Sequence, residues 1–284
     1  MKVTFWGTRG SLPSPRPGTT RYGGNTSCVS LRLADGSDVV LDAGTGIQRL
    51  GFGPDTTRVD VLLSHLHMDH IIGLGFFAAL FQPDLEVHLW GPPSVTLELH
   101  ARLSRYLSPP LFPVRLRDLP CRLELHDAPR GTFDLPGAAV TADLVCHPGP
   151  TLGYRLEADG AVLAYVPDHE PALADGAFPG QAEWISGFPL LSGADVLIHD
   201  AQYTDDEYPA HVGWGHSTIS QAMALAEAAG VGTLAAFHHD PGHNDSQLDR
   251  LFSAAAAERD WSFELAPASE GVTLTLGRQE AARP

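Results

Sequence analysis

The segment LLSHLHMDHIIG, residues 62–73, places three histidines and one aspartate within six positions. These residues are His65, His67, Asp69 and His70, and they directly follow an apolar run. Each side chain needs a partner there, because an unpaired polar group at the end of a buried strand is costly. A metal ion can serve several of them at once, so the segment predicts a metal site. His65 and His67 alternate as in an extended loop and can face one ion, whereas Asp69 and His70 can face a second.

Histidines and an aspartate also follow other predicted strands. His147 comes after AVTADLVC, Asp168 after AVLAYVP, and His238 and His239 after TLAAF. Active sites of α/β proteins gather at strand ends, so we expect these residues to lie near the first segment. Three other histidines lie within or beside helix or strand patterns and are assigned no functional role: His88, His100 and His126.

The elements that must position these residues follow from hydrophobic spacing and from turn residues. Strands are predicted at residues 3–7, 28–33, 39–44, 59–64, 86–93, 121–126, 138–147, 151–158, 161–168, 195–201 and 231–239, with two short strands at the end of the chain. Helices are predicted at residues 71–81, 94–107, 217–230 and 244–259. Strands and helices occur together in two successive series, which indicates an α/β protein.

The charge of the chain argues against a polyanionic partner. The 284 residues include 43% hydrophobic residues, ample for a sizeable core. The 18 basic and 34 acidic residues give a formal net charge of −16, which weakens association with an extended nucleic acid. The densest basic set, between Arg102 and Arg122, is interrupted by prolines and is not expected to form one face.

The cysteines and the N-terminus indicate the compartment. Cys28, Cys121 and Cys146 are odd in number and form no CxxC pair, so neither a disulfide framework nor a cysteine zinc site is suggested. The first residues are unlike a secretory signal, and no apolar segment approaches the roughly 18 residues of a membrane span. A soluble cytoplasmic protein with no membrane association is expected.

Several motifs, in order over most of the chain, resemble the metallo-beta-lactamase superfamily in its ribonuclease Z-like phosphodiesterase branch. They are LDAGTGIQ, SHLHMDHIIGL, HPGPTLGYRLE, YVPDHE and HSTISQAMALAEAAGV followed by AAFHHDP. The glycine-rich opening loop GTRGSLPSPRPGTTRYGGNTSC is also similar to that of this branch, where it lies beside the active site. The resemblance implies one domain, residues 1–284, with a four-layer αββα sandwich of two mixed β-sheets flanked by helices.

The resemblance also implies the ligands of two divalent metal ions. His65, His67 and His147 would hold one ion, Asp69, His70 and His238 the other, and Asp168 would bridge them. His238 is preferred to His239 because of its distance from Pro241 and from His216, and His239 would be a neighbouring cleft residue. Asp42 is expected to accept a hydrogen bond from a ligating imidazole. Zinc is the first choice of metal, with manganese or iron as alternatives.

The same resemblance assigns roles in hydrolysis. Two ions that share a carboxylate lower the pKa of a shared water and hold a hydroxide ready at neutral pH. The segments HST at 216–218 and HDA at 199–201 are similar to the HST and HEA segments of the branch. His216 would therefore be the general acid and Asp200, which replaces the usual glutamate, its orienting partner. Asp69 is counted among the catalytic residues as well as the ligands.

The predicted substrate is a small phosphodiester. RYGGNTSC, LFPV and FHHDP are similar to segments of the cyclic nucleotide phosphodiesterases of this fold, and no long tRNA-binding arm is found. A 3′,5′-cyclic nucleotide is the leading substrate, with substrate contacts assigned to Arg21, Tyr22, Asn25 and His239, and a homodimer is expected. The alternatives are a tRNA 3′-processing endonuclease, a lactone or thioester hydrolase on the same fold, and a non-catalytic nucleotide-binding module.

Overall fold

The computed structural model describes residues 1–171 and 181–277, without the side chain of Glu183. Within these residues the strands form two seven-stranded sheets. The first sheet contains β1 (Lys2–Gly7), β2 (Cys28–Arg32), β3 (Asp38–Leu41), β4 (Arg58–Leu62), β5 (Glu86–Gly91), β6 (Arg122–Asp127) and the C-terminal β14 (Thr273–Thr275). The second contains β7 (Gly131–Leu135), β8 (Ala138–Leu144), β9 (Leu152–Ala158), β10 (Ala161–Val166), β11 (Val196–Asp200), β12 (Thr233–Phe237) and β13 (Glu264–Leu265).

Both sheets are mixed in the same way. The first has the order β14-β1-β2-β3-β4-β5-β6 and becomes parallel from β3 to β6. The second has the order β13-β12-β11-β10-β9-β8-β7 and is parallel from β10 to β13. Parallel strands end on the same side of a sheet, so loops that follow β4, β10, β11 and β12 can converge.

Three apolar layers hold the sandwich together. The central layer lies between the sheets and includes Phe5 and Leu41 of the first sheet and Tyr154 and Ile198 of the second. The outer face of each sheet packs against helical segments. These layers are the expected four-layer αββα architecture, so the predicted fold class is confirmed.

The helices are α1 (Met68–Ile71), α2 (Leu99–Leu103), α3 (Phe188–Leu191), α4 (Ile219–Ala229) and α5 (Asp245–Ala257). Thr218 caps α4, because its side chain accepts a hydrogen bond from the Gln221 amide. Gly230 ends the helix with φ 62°, at the end of the predicted range 217–230. Asn244 caps α5 in the same way by accepting from the Gln247 amide.

Two predicted helices are wrong in extent. Only α1 is α-helical near residues 71–81, and 3₁₀ turns continue the chain at 72–76 and 78–81. Gly73 and Gly75 lower the helix propensity of this segment. A Cβ on Gly73 would lie 2.0 Å from the Gly44 carbonyl oxygen, so only glycine fits at that close approach to the loop after β3. In 94–107 only α2 is α-helical. Strand β7 was not predicted.

Across residues 1–171 and 181–277, no helix is both long enough and apolar enough to cross a bilayer.

Candidate metal centre

The histidine-rich segment lies directly after β4 and turns into α1. His65 and His70 are buried, whereas His67 is exposed. Asp69 lies on the first turn of α1, where the positive end of the helix favours a carboxylate. The opening loop lies beside it, as predicted, since the Ser11 amide donates a hydrogen bond to Asp69 Oδ2 at 2.8 Å.

Three imidazoles form the first ligand cluster. His65, His67 and His147 bring one nitrogen each to a common point. His67 Nδ1 lies 3.1 Å from His147 Nε2. Burial lowers the pKa of all three rings, which keeps them neutral and able to offer a lone pair.

Two carboxylates and two imidazoles form the second cluster. Asp69, His70, Asp168 and His238 are buried, and their ligand atoms lie close together. His238 Nε2 lies 3.3 Å from both Asp69 Oδ2 and Asp168 Oδ1, and His70 Nε2 lies 3.1 Å from Asp168 Oδ1. These separations are close to the ~3.3 Å between neighbouring ligands of a four-coordinate ion with bonds of about 2.0 Å.

Asp168 faces both clusters. Its Oδ1 belongs to the second cluster, and its Oδ2 lies 3.7 Å from His65 Nε2 and 3.7 Å from His147 Nε2. Although burial alone would raise its pKa, the neighbouring His238, His70 and His65 lower it, so the carboxylate is held ionised. Asp168 therefore lies between the two clusters, and its role as a bridging ligand stays a prediction.

Unpaired polar atoms test whether ions fit here. Among the described residues, His65 Nε2, His70 Nε2 and Asp168 Oδ1 are buried and have no hydrogen-bond partner. Leaving such atoms unsatisfied costs about 1–3 kcal/mol each. All three point into the clusters, and the imidazoles and carboxylates around them are ligands that divalent ions accept. The residues therefore fit two ions.

Hydrogen bonds on the far side of the rings fix which nitrogen faces the clusters. His70 Nδ1 donates to Asp42 Oδ2 at 2.7 Å, as the sequence analysis expected. His238 Nδ1 donates to Gln202 Oε1 at 2.9 Å, and His147 Nδ1 donates to the Gly215 carbonyl oxygen at 2.8 Å. In each ring Nε2 therefore carries the lone pair that faces the centre.

Gln202 and Glu170 support the centre and were missed by sequence reasoning. The buried carboxylate of Glu170 accepts hydrogen bonds from the Gly213 amide at 2.8 Å and the Gly215 amide at 2.7 Å. A Cβ on Gly215 would lie 2.3 Å from His147 Nδ1, so only glycine fits. Both residues directly follow strands that end at the site, Glu170 in the segment YVPDHE and Gln202 after β11. This position was the sequence signal from which their role could have been predicted.

His216 lies against both clusters. Its Nδ1 lies 2.7 Å from Asp200 Oδ2 and 4.0 Å from Asp168 Oδ2, and its ring stacks on His238. Asp200 thus contacts His216 directly, although its side chain is shorter than the glutamate that the resembled branch has at this position. Burial lowers the pKa of His216, but Asp200 outweighs that effect and raises it to about 9.

The residues assigned to substrate binding lie elsewhere. His239 is fully buried and its Nε2 donates to the Ala268 carbonyl oxygen at 2.8 Å, and its role as a cleft residue stays a prediction. Arg21 and the hydroxyl of Tyr22 bind Asp249, and the Asn25 side chain donates to Glu270. These hydrogen bonds give Arg21, Tyr22 and Asn25 a structural role, and their substrate contacts stay predictions.

A cavity of about 610 Å³ opens beside the first cluster. Its polar lining includes His65, His67, Arg102, Arg105 and Tyr106, and its apolar lining is Leu66, Met68, Ile71, Leu97, Leu111 and three prolines. Arg102 donates to the Pro92 carbonyl oxygen at 2.7 Å and pairs with Asp127. Arg105 is exposed and, in the described part of the chain, forms no ion pair or side-chain hydrogen bond.

Comparison with known proteins agrees with this fold. The family model for the beta-lactamase superfamily domain matches residues 38–239. The chain is 27% identical to the Ribonuclease Z of Myxococcus xanthus over 97% of this chain and 98% of that protein. It is 30% identical to the Ribonuclease Z of Lacticaseibacillus casei over 84% of each chain.

A solved structure shows the same fold. The metallo-beta-lactamase fold protein YhfI from Bacillus subtilis matches with a TM-score of 0.69 and 19% identity, over 96% of this chain and 99% of that one. The chain therefore belongs to the beta-lactamase superfamily, as a hydrolase of the metallo-beta-lactamase fold. The predicted family is confirmed.

Proposed function

We propose that the protein is a phosphodiesterase that uses two divalent ions to hydrolyse a small phosphodiester, with 3′,5′-cyclic nucleotides as the leading candidates. The observation that carries the proposal is the cavity beside His65 and His67. Its volume of about 610 Å³ lies within the range of small-molecule sites, roughly 300–1,000 Å³. A cyclic nucleotide combines one phosphate charge with an apolar base face, and the cavity combines arginine with apolar walls.

Arg105 is the residue that we assign to the phosphate. Its guanidinium lies on the cavity wall without a carboxylate partner among the described residues, whereas Arg102 is bound to Asp127 and the Pro92 carbonyl. A planar guanidinium matches two phosphate oxygens. Leu97 and Leu111 offer apolar surface to a base on the same cavity wall.

When bound, the ions would lower the pKa of water and offset the negative charge of the phosphate. His216 is proposed to give a proton to the leaving oxygen. Asp200 holds its Nδ1, which leaves Nε2 as the nitrogen that can carry the transferred proton. Asp200 also accepts hydrogen bonds from the His169 and Gln202 amides, at 3.2 and 3.0 Å, so its position is fixed.

A tRNA 3′-processing endonuclease is the second candidate, because the relatives compared above are named Ribonuclease Z. Two observations favour a small substrate. The net charge of −16 opposes binding of a polyanion. The connection between β5 and β6 also folds back onto the sheet, where Leu99, Leu103 and Phe112 enter the core, and so does not project as an arm.

Direct assay of the metal-loaded protein tests the proposal. The substrates are bis-p-nitrophenyl phosphate, a panel of 3′,5′-cyclic nucleotides, a pre-tRNA and a lactone. Turnover of a cyclic nucleotide with little cutting of pre-tRNA is expected, and the reverse pattern would establish the endonuclease. Turnover of the lactone alone would indicate a lactone or thioester hydrolase, and binding of a nucleotide without turnover would indicate a non-catalytic module.

Arg105→Gln tests the cavity itself. Loss of a charged hydrogen bond to phosphate should raise KM for the cyclic nucleotide by about 10- to 100-fold, since such bonds contribute about 1.5–3 kcal/mol. Arg117→Gln is the matched control, because Arg117 is exposed on the same connection and does not line the cavity. Equal KM values in the two variants would remove the cavity from the proposal.

Three further properties belong to this proposal. Zinc is the proposed metal, because five imidazoles and two carboxylates suit it, and elemental analysis of the purified protein would distinguish it from manganese or iron. A homodimer and a cytoplasmic location are also proposed. Sedimentation and cell fractionation test them. The single domain of residues 1–284 stays a prediction.

A further inference from the structure

A second group of histidines lies on the first sheet, away from the centre described above. His88 on β5 and His126 on β6 are 38 positions apart in the chain, and His88 Nδ1 lies 3.0 Å from His126 Nε2. Glu124 Oε2 lies 3.6 Å from His88 Nδ1 and 3.8 Å from His126 Nε2. The two histidines are among those to which the sequence analysis assigned no role.

The parallel pairing of β5 and β6 produces this group. His88 lies opposite Glu124, and Trp90 lies opposite His126. Residues two apart in a strand point to the same face, so all four side chains share one surface. His88 and His126 are diagonal neighbours there, within reach of long side chains.

We infer that His88, Glu124 and His126 form a third divalent-metal site, which binds a transition metal such as zinc. The three donor atoms form a triangle with sides of 3.0, 3.6 and 3.8 Å. Neighbouring ligands of a four-coordinate ion lie about 3.3 Å apart when the bonds are about 2.0 Å. Three ligands would hold the ion, and solvent would complete its coordination, because Glu124 is 62% exposed.

The surroundings favour a cation. Burial and the neighbouring His88 lower the pKa of His126, so this ring offers a lone pair at neutral pH. Asp60 lies next in the row across the sheet, opposite His88, and is already bound to Arg58 through two hydrogen bonds of 2.7 and 2.8 Å. Glu124 therefore leaves the group with a negative charge that a divalent ion would offset.

Trp90 provides a signal for binding at this place. Its ring stacks on His126 with centroids 4.1 Å apart, and its Nε1 donates to Asp60 Oδ1 at 3.0 Å. A Cu²⁺ or Ni²⁺ ion on His126 would lie within a few ångströms of the indole and quench its fluorescence. The inference does not depend on the proposed phosphodiesterase activity.

The test combines metal content with fluorescence, on full-length protein without a histidine tag. After equilibration with buffered Zn²⁺, Glu124→Gln should hold one equivalent fewer than wild type. The control His100→Gln, which changes an exposed histidine outside the group, should hold as many as wild type. Because His88 is largely buried and its variants could unfold, the exposed Glu124 is the primary change. Equal zinc content in wild type and Glu124→Gln would overturn the inference.

Titration with Cu²⁺ locates the ion. Part of the tryptophan quenching by Cu²⁺ should disappear in Trp90→Phe. In Glu124→Gln the same part of the quenching should need a Cu²⁺ concentration at least about 10-fold higher, because a ligand has been lost. Phosphodiesterase activity should be the same in Glu124→Gln and wild type. Quenching that is identical in wild type, Trp90→Phe and Glu124→Gln would mean that the two histidines share only a hydrogen bond.

Discussion

Asp42 Oδ2 accepts a hydrogen bond from His70 Nδ1 at 2.7 Å, and the aspartate is itself fully buried at the end of β3. The same carboxylate accepts from the Ser64 amide, the Ser64 hydroxyl and the Tyr165 hydroxyl, at 2.7 to 2.8 Å. Both of its oxygens are therefore acceptors. This relationship fixes the His70 ring with Nε2 towards the second cluster.

Asp42→Asn should weaken metal binding about 10- to 100-fold. Asparagine tolerates the positive φ of 56° at this position, so the backbone should be kept. The side-chain NH₂ group of the asparagine, however, must face one of the hydrogen-bond donors that now bind the Asp42 carboxylate, and it cannot accept that hydrogen bond. Competition with a chromogenic chelator measures the affinity. Tyr165→Phe is the control, since it removes one hydrogen bond without changing the partner of His70. Wild-type affinity in Asp42→Asn would show that the carboxylate does not support the site.

Asp69→Ala and His67→Ala should each lose metal at one cluster and nearly all phosphodiesterase activity, while they stay folded. His67 belongs to the first cluster and Asp69 to the second, so the two variants test the clusters separately. Elemental analysis gives the metal content, and circular dichroism checks the fold. Full metal content in either variant would exclude that residue as a ligand.

His216→Ala should slow the hydrolysis of a substrate more strongly when its leaving group needs a proton. A ribose alkoxide leaves poorly without a proton, whereas p-nitrophenolate leaves without help. The fall in kcat should therefore be much larger for a cyclic nucleotide than for bis-p-nitrophenyl phosphate, measured at one pH with metal content checked. An equal fall for both would reduce His216 to a structural residue that holds the start of α4 next to Asp200.

Asn244→Ala should lower the free energy of unfolding by about 1 kcal/mol, because the side chain caps α5. The cap satisfies the Gln247 amide at 2.9 Å, and an alanine leaves that donor to solvent. Urea denaturation measures the change. Ser253→Ala, on an exposed position of the same helix, should change stability by less than about 0.5 kcal/mol. Equal effects would mean that the cap contributes nothing.

Local patterns predicted the parts of the molecule that local physics determines. The close spacing from His65 to His70 predicts metal ligands without any knowledge of the fold, and the structure brings these residues into the two clusters. Thr218 and Asn244 cap their helices by their own hydrogen bonds. Alternating apolar residues located most strands, because the pleat imposes a period of two. Gly73 shows the limit, since its close approach to the carbonyl of Gly44 depends on tertiary packing.

Relationships between distant strands could not be predicted in the same way. His88 and His126 look unrelated in the sequence and meet only because β5 and β6 pair in one particular register. Arg105 reaches the cavity because the connection after β5 folds back on the sheet. His238 and His239 are neighbours in the sequence, but the backbone turns at His238, with φ 58°, and the two rings have different hydrogen-bond partners.

The distribution of the ligands along the chain also has a consequence for biosynthesis. His65, His67, Asp69 and His70 follow β4 of the first sheet, whereas His147, Asp168 and His238 come from loops of the second. A nascent chain that has released only β1 to β6 exposes four of the seven candidate ligands and lacks the carboxylate that faces both clusters. Synthesis proceeds from the N-terminus, so the centre is complete only after β12 has left the ribosome and the second sheet has docked. With the proposed ligand set, we therefore expect metal loading to be a late event, and a truncated chain that ends before His238 should lack the metal of the second cluster.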